Sequence, residues 1–173
     1  MKKRTSKLFH GLMALLLVVS VFLPALKVSN VVKAEELPAS SYTMKTVSKI
    51  NNNKLVDGAK YGEGKFYIAP SYKIPNSVTL KNGDTIVYTV PSTFKVEQTG
   101  PTNITAGGEV VGTLVTDPAT NTATITITNE AYYAKLNEDK TIAVQFTAVW
   151  ADSVPKNVPQ TFEMPGAGTY TLT

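Results

Sequence analysis

The chain has 173 residues, of which 17 are Lys or Arg and 13 are Asp or Glu, and it contains no cysteine. The absence of cysteine excludes disulfides, thiol catalysis and cysteine zinc sites. A length of this order favours a single domain that relies on its hydrophobic core for stability.

The N-terminal segment predicts an export signal. The first ten residues are strongly basic, residues 11–26 are an apolar run interrupted by Pro24, and the small residue Ala34 follows just before Glu35. A basic region, an apolar region and a small-residue site in this order are typical of a secretory signal peptide. We therefore predict that residues 1–34 are a signal peptide cleaved between Ala34 and Glu35. A retained membrane anchor is the alternative, which the short apolar run and Pro24 disfavour.

Removal of the signal peptide reverses the charge balance. Six of the 17 basic residues lie in it, so the exported chain has 11 basic and 13 acidic residues and a net charge near −2. With no basic surface expected to neutralise phosphates, nucleic acid is not an expected partner. The only arginine, Arg4, and the only histidine, His10, leave with the signal, which excludes histidine triads and histidine zinc sites. We expect an exported, extracellular or cell-surface protein that is not an enzyme and has no metal or cofactor.

Alternation of apolar residues with threonine predicts strands along the rest of the chain. Ile125 and Ile127 alternate with threonines, and residues 140–150 repeat this period of two. Such a pattern is typical of half-buried antiparallel strands. We expect five residues of these strands to be buried together: Ile125, Ile127, Val144, Phe146 and Trp150.

The predicted elements follow one another with short turns between them. Residues 35–41 are expected to be a flexible leader. Strands are predicted near 42–50, 65–70, 84–90, 93–97, 109–116, 122–128, 140–150, 158–163 and 168–173. One short helix is predicted at residues 129–136, where Asn129 can cap the helix and Glu130 suits its positive end. Many short strands with one helix indicate a β-sandwich.

The stretch NGDTIVYTVPSTFKV, residues 82–96, has a physical explanation at each position. Gly83 allows a tight turn, and Asp84 can accept hydrogen bonds from backbone amides where the strand begins. Pro91 ends the pairing because it has no N–H to donate. Three residues are predicted to pack inward: Ile86, Tyr88 and Val90.

This stretch resembles a segment of the immunoglobulin-like domains in Gram-positive surface adhesins of the serine-aspartate-repeat and collagen-adhesin group. The sequence GEVVGTLVTDPATNTATITITNEAYY, residues 108–133, and the long strand after it are similar to the second half of the same domain. The resemblance implies an all-β, immunoglobulin-like antiparallel β-sandwich with one short helical turn, in an adhesin domain at residues 42–173.

The resemblance also implies a function, which is attachment to host extracellular-matrix or plasma proteins by β-strand addition. In that group two tandem domains hold a ligand such as collagen or fibrinogen, and an extension of the second inserts as a strand along the first. The part of this chain that is similar to the group's acceptor strand contains Thr124, Thr126, Thr128 and Asn129, with Asn129 where aspartate is usual. Tyr132 and Tyr133 are candidates for an exposed ligand face. A second Ig-like domain and a wall-sorting signal are expected in a longer protein.

Two other functions stay open. The chain can be a structural spacer or a pilin-like stalk domain, and such domains often carry a Lys–Asn isopeptide bond, here from Lys45 or Lys49 to Asn157. A carbohydrate-binding or hydrolytic module is the other alternative. For that function only Trp150 offers an indole platform, and its alternation phase points inward.

Overall fold

The computed structural model describes residues 34–50 and 52–173, and the predicted signal before Ala34 lies outside the described residues. None of the described helices is long and apolar enough to cross a membrane. A 3-10 turn (Ala39–Ser41) precedes the strands. The strands are β1 (Thr43–Ile50), β2 (Asn53–Lys54), β3 (Phe66–Ile74), β4 (Thr85–Thr89), β5 (Phe94–Val96), β6 (Thr99–Ala106), β7 (Glu109–Asp117), β8 (Thr122–Ile127), β9 (Lys140–Ala143), β10 (Phe146–Trp150), β11 (Gln160–Met164) and β12 (Gly168–Leu172), and the helix α1 is Glu130–Ala134.

The strands form two antiparallel sheets and a hairpin. The four-stranded sheet has the order β4-β8-β7-β6. The six-stranded sheet has the order β2-β1-β3-β10-β5, with β9 also paired to β3. The hairpin β11–β12 is placed by Phe162, whose ring centroid lies 4.8 Å from that of Phe94. All these strands pair in the antiparallel sense, as short alternating segments joined by tight turns do.

The inner faces of the two sheets share one hydrophobic core. The rings of Tyr88 on β4 and Phe146 on β10 lie 5.6 Å apart at their centroids, which joins the sheets directly. Phe66 lies 4.7 Å from Phe94 and 5.1 Å from Trp150, measured between ring centroids. Edge-to-face contacts of this kind add to the free energy gained by burying the rings. The molecule is therefore an immunoglobulin-like β-sandwich, as the sequence predicted.

The predicted inward positions are confirmed on β4 and β8. Ile86, Tyr88 and Val90 are buried, and so are Ile125 and Ile127. The prediction for the last long strand was partly wrong. Phe146 is buried, but Val144 and Trp150 are only half-buried and pack against the rim of the core.

The strand predicted at 140–150 is interrupted at residues 144 and 145, because Pro70 on β3 lies opposite Val144 and has no N–H to donate. β9 pairs with the end of β3 and β10 with its beginning. Between them the amide of Val144 donates to the carbonyl of Pro70 at 3.1 Å. Both halves keep one register with β3 and alternation continues through the gap, so the pattern alone reads as one strand.

Strand β6 was not predicted at all. Its sequence TGPTNITA contains Gly100 and Pro101 and has only Ile104 as a large apolar residue. The strand lies at the edge of the four-stranded sheet and pairs only with β7. Edge strands bury little and tolerate proline, so the apolar pattern from which strands are predicted is weak there.

Candidate functional site

The outer edge of β4 carries a short added strand at its start. The amide of Thr85 donates to the carbonyl of Glu35 at 2.9 Å, and the amide of Leu37 donates to the carbonyl of Thr85 at 2.8 Å. Glu36 thereby forms a parallel bridge with Thr85. The first residues of the expected flexible leader thus lie against the domain, because β4 offers them unpaired backbone groups.

The turn before β4 positions this added strand. Gly83 has a φ of +91°, which a residue with a side chain rarely adopts. The buried carboxylate of Asp84 accepts from the amide of Lys81 at 2.8 Å and from the amide of Glu35 at 3.3 Å. The Asp84 side chain therefore links the turn to the leader, which extends the role predicted for it.

Among the described residues, no strand lies along the rest of the β4 edge. Backbone groups of alternate residues face the same side of a strand, so Val87 and Thr89 direct their N–H and C=O outward as Thr85 does. On the inward side β8 pairs with the whole of β4. The leader departs at Pro38, where the amide of Ser41 donates to the Pro38 carbonyl at 2.8 Å and closes the 3-10 turn. Within the described residues, no backbone hydrogen bond reaches Val87 or Thr89 from outside.

The strand predicted to accept a ligand strand is in the interior of the sheet. Thr126 on β8 is paired with Thr85 on one side and Thr113 on the other. Thr124 is likewise paired with Val87 and with Val115 on β7. The backbone N–H and C=O groups of β8 are paired with β4 on one side and with β7 on the other, so β8 cannot pair with a further strand. The edge that can is β4, its neighbour.

The end of β8 has a structural role. The amide of Thr128 donates to the carbonyl of Val111 at 3.1 Å. The Asn129 side chain caps α1 by accepting from the amide of Tyr132 at 3.0 Å, and it donates to a Glu109 carboxylate oxygen at 3.0 Å. An aspartate at this position can cap but cannot donate, so the asparagine suits the neighbouring Glu109.

The two candidate tyrosines differ in exposure. Tyr133 is buried, and this burial, followed by the effect of Tyr132, raises the pKa of its hydroxyl to about 12. Tyr133 therefore belongs to the core, and its place in an exposed ligand face is corrected. Tyr132 is half-buried, with its ring 5.3 Å from that of Tyr133 and close to Gly107. Only Tyr132 offers surface to a ligand.

A cleft of about 790 Å³ lies at the end of the sandwich where the chain reaches Thr173. Trp150 lines it, and the indole N–H donates to the carbonyl of Gly62 at 3.3 Å. The ammonium of Lys156 contacts the carboxylate of Glu63 at 2.7 Å among the lining loops. Trp150 has the inward phase that alternation predicted, since it is opposite the buried Phe94 in the register, but it ends its strand and stays half-buried at this opening.

The lysines proposed for an isopeptide bond are not in an enclosed setting. Lys45, Lys49 and Asn157 are all exposed. Among the described residues the buried lysine is Lys140, whose Nζ donates to the carbonyls of Asn76 and Val78 at 3.2 and 3.0 Å. These two hydrogen bonds connect β9, on which Lys140 lies, to the loop before β4.

Comparison with known proteins agrees with this geometry. The two-sheet sandwich defines an immunoglobulin-like domain. Residues 61–159 match the family model described as bacterial Ig domain, and the chain belongs to that family. This is the class that the resemblance to Gram-positive surface proteins predicted.

A curated relative and a solved structure extend the comparison. The chain is 27% identical over 154 residues to a wall-associated protein of Streptococcus mutans serotype c, covering 82% of this chain and 32% of that protein. Its fold is similar to the crystal structure of the serine-rich repeat adhesion glycoprotein Srr1 of Streptococcus agalactiae, with a TM-score of 0.54 and 16% identity over 78% of this chain and 46% of that chain. The chain thus spans less than half of either relative. A cell-surface or extracellular location is supported by the wall-associated relative.

Proposed function

We propose that this chain is an adhesin domain of an exported surface protein and that it binds an extended segment of a host matrix or plasma protein at the outer edge of β4. The observation that supports this most directly is the parallel pairing of Glu36 with Thr85. In this pairing a segment of the chain itself lies against the start of the edge in parallel register. Beyond Thr85 the same side of β4 presents Val87 and Thr89 to a ligand.

The size of the edge sets the strength of this binding. Val87 and Thr89 each offer one donor and one acceptor. A hydrogen bond of this kind contributes a net of about 0.5–1.5 kcal/mol. Association and ordering of a peptide cost about 4–15 kcal/mol. The edge alone therefore supports weak binding, and tight binding needs the second domain expected in a longer protein.

The test is a proline substitution on the free edge. Val87→Pro removes an N–H that faces outward and leaves the pairing with β8 intact, since edge strands accept proline in that orientation. Val87→Ala keeps the N–H and is the matched control. Surface plasmon resonance over immobilised collagen and fibrinogen should show weak binding by residues 35–173, lost in Val87→Pro and kept in Val87→Ala.

A longer chain with the second Ig-like domain sharpens the test. It should bind far more tightly than residues 35–173 and dissociate slowly. Equal binding by wild type and Val87→Pro would move the site away from β4, with Tyr132 and the Trp150 cleft as the next surfaces to test. If neither length of chain binds any matrix or plasma protein, the spacer or stalk function becomes the better explanation.

A further inference from the structure

The lysines of the exported chain are unevenly distributed over the fold. Six of its 11 lysines share the outer face of the six-stranded sheet, which we call the lysine face. They are Lys45, Lys49, Lys54, Lys65, Lys73 and Lys95. The four strands of the other sheet contain no lysine at all. The expectation that no basic surface survives is therefore wrong, because a net charge of the whole chain does not report how charges are placed.

Acidic residues neutralise only part of this face. Glu97 contacts Lys65 at 2.8 Å, and Asp139 contacts Lys73 at 3.1 Å, both near the margin of the sheet. Within the described residues, the other four lysines of the face form no ion pair. The positive charge of the face is thus concentrated on β1, β2 and β5.

One pair of lysines is arranged at a cost to stability. Lys49 on β1 lies directly opposite Lys54 on β2 in the antiparallel register. Opposite residues have Cβ atoms about 5 Å apart, and like charges in that position are destabilising. Core packing does not require either lysine, since both are exposed. A bound anion would remove the repulsion.

Hydroxyl groups alternate with the ammonium groups on this face. The register places Ser71 opposite Lys45, and Tyr67 opposite Lys49. Thr43 is opposite Lys73 in the same way. Between these rows lies a small apolar spot in which Val47, 41% exposed, is opposite Ala69. The face therefore offers charges, hydroxyls and a flat apolar contact within one rigid sheet.

We propose that the lysine face binds a linear sulfated polysaccharide. Such a polymer carries repeated sulfates for the ammonium groups, ring hydroxyls for Ser71, Tyr67 and Thr43, and a C–H face for Val47. Lys45 and Lys49 are about 13 Å apart along β1, a span that an extended chain of sugars crosses without bending. Lysine is a compact point charge, so this surface suits an array of sulfates better than a planar, bidentate partner.

The proposal uses a different surface from the β4 edge and depends on the proposed adhesin function only for the host origin of the polymer. Binding should weaken steeply with salt, since a polyanion releases counterions when lysines replace them. Sulfated polysaccharide bound here would hold the domain at a matrix surface. It would leave the β4 edge free for a peptide.

The experiment measures heparin binding to residues 35–173 by titration calorimetry at about 150 mM NaCl, where the Debye length is about 8 Å. The test variant combines Lys45→Gln, Lys49→Gln and Lys54→Gln. The matched control combines Lys60→Gln, Lys81→Gln and Lys135→Gln, which removes the same charge from exposed positions elsewhere. We expect the face variant to lose about tenfold in affinity or more, with a salt slope shallower by about two, and the control to lose less than about twofold.

Measurements with other polymers identify the ligand, and the Val87→Pro variant separates this proposal from peptide binding at the β4 edge. Dextran sulfate should bind and neutral dextran should not. A poly(glycerol phosphate) polymer or duplex DNA that binds as tightly as heparin would overturn the assignment to a sulfated sugar. Equal losses in the two triple variants, or no heparin binding by the wild type, would overturn the site. Val87→Pro should bind heparin as the wild type does. Loss of peptide binding at the β4 edge can therefore be told apart from loss of heparin binding at the lysine face.

Each variant needs a check of folding. The face variant relieves the repulsion between Lys49 and Lys54, so its thermal midpoint should not fall below that of the wild type. A face variant that binds weakly and melts at or above the wild-type midpoint has lost the ligand contact itself. A lower midpoint would contradict the account of Lys49 and Lys54.

Discussion

The outer faces of the two sheets have the same backbone geometry and opposite chemistry. The six-stranded sheet presents six lysines, whereas the four-stranded sheet presents rows of threonine such as Thr85, Thr126 and Thr113 side by side. Inward positions on both sheets are similar, because both must fill one core. Outward positions are free of that constraint, so their composition can differ between the two sheets.

The difference extends to the edges. The threonine-rich sheet has the partly free edge of β4, which takes the leader at Thr85. In the lysine-bearing sheet, the outer edge of β1 is paired by β2, and Thr46 there donates its amide to the carbonyl of Gly166 at 2.9 Å. One sheet thus offers backbone groups at an edge, and the other offers charge on a face. The comparison separates the two proposed binding modes, which composition alone cannot distinguish.

The largest expected effect on stability comes from truncating a core side chain that contacts the opposite sheet. Phe146→Ala should lower the free energy of unfolding by about 3–5 kcal/mol, because the buried ring contacts Tyr88 across the sandwich. Denaturant unfolding measures this, with Thr126→Ala on the outer face as the control. An unchanged midpoint would show that the faces of β10 are assigned backwards.

The next effect concerns a side chain that links the two sheets. Asn121, in the turn before β8, accepts from the amide of Val96 at 3.0 Å and donates to the carbonyls of Val90 and Phe94 at 3.0 and 2.9 Å. Asn121→Ala leaves these groups unpaired, and we expect a loss of about 2–4 kcal/mol in unfolding free energy. Asn157 also has a positive φ but makes no such links, so Asn157→Ala should cost about 1 kcal/mol. Similar losses at both sites would mean that backbone strain, and not the cross-sheet bonds, explains the effect.

A smaller effect is expected where the leader meets β4. Asp84→Ala removes the acceptor for the amides of Lys81 and Glu35 and should cost about 1–3 kcal/mol. A chain cleaved after Ala34 begins with the ammonium of Glu35, and a charged donor strengthens a hydrogen bond to a carboxylate. The loss on Asp84→Ala should therefore be greater in a chain that begins at Glu35 than in one that retains preceding residues. N-terminal sequencing of the exported protein should give Glu35, and a retained signal segment would mean an anchored protein.

The smallest expected effect on stability comes from Glu97, at the margin of the lysine face. Hydrogen bonds from Lys65 and Thr147 lower the pKa of Glu97 below its ordinary value of 4.5. A lowered pKa in the folded state adds stability above the unfolded pKa, and this is lost as pH falls through the folded value. The wild type should therefore be slightly more stable than Glu97→Gln at neutral pH, and the difference should vanish once Glu97 is protonated. Thermal midpoints from neutral pH down to about pH 3 measure this.

The same substitution sharpens the comparison of the two faces. Glu97→Gln removes a negative charge beside Lys65, so heparin affinity should rise by less than about threefold. Glu109→Gln, on the lysine-free sheet, makes the same charge change and should leave heparin affinity unchanged. A rise of equal size in both variants would indicate an effect of net charge.

Most of the fold was predictable because its signal is local. Alternation in β8 and the turn at Gly83 and Asp84 specify which residues face inward and where β4 begins. The helix at Glu130–Ala134 was predicted from its cap Asn129, which the structure confirms. The edge strand β6 was missed because an exposed strand carries little apolar pattern.

The candidate sites were less predictable, since they depend on which strands are neighbours. The sequence around Thr124 and Thr126 is similar to a strand that accepts a ligand strand. In the fold, however, β8 is paired on both sides, and the free edge of the sheet is β4. Tyr132 and Tyr133 are adjacent in sequence, and helical packing buried only Tyr133. Neither outcome can be read from spacing along one strand.

The sequence by itself determined the alternation of inward and outward residues and the turns, because each depends on residues close along the chain, and its resemblance to a known group indicated the immunoglobulin-like class. Only the tertiary structure decided that β4 is an edge and that six lysines from four strands and their flanking loop share one face. Strand order and cross-strand register arise from packing between distant segments, and charge in particular becomes a surface property only when those segments meet.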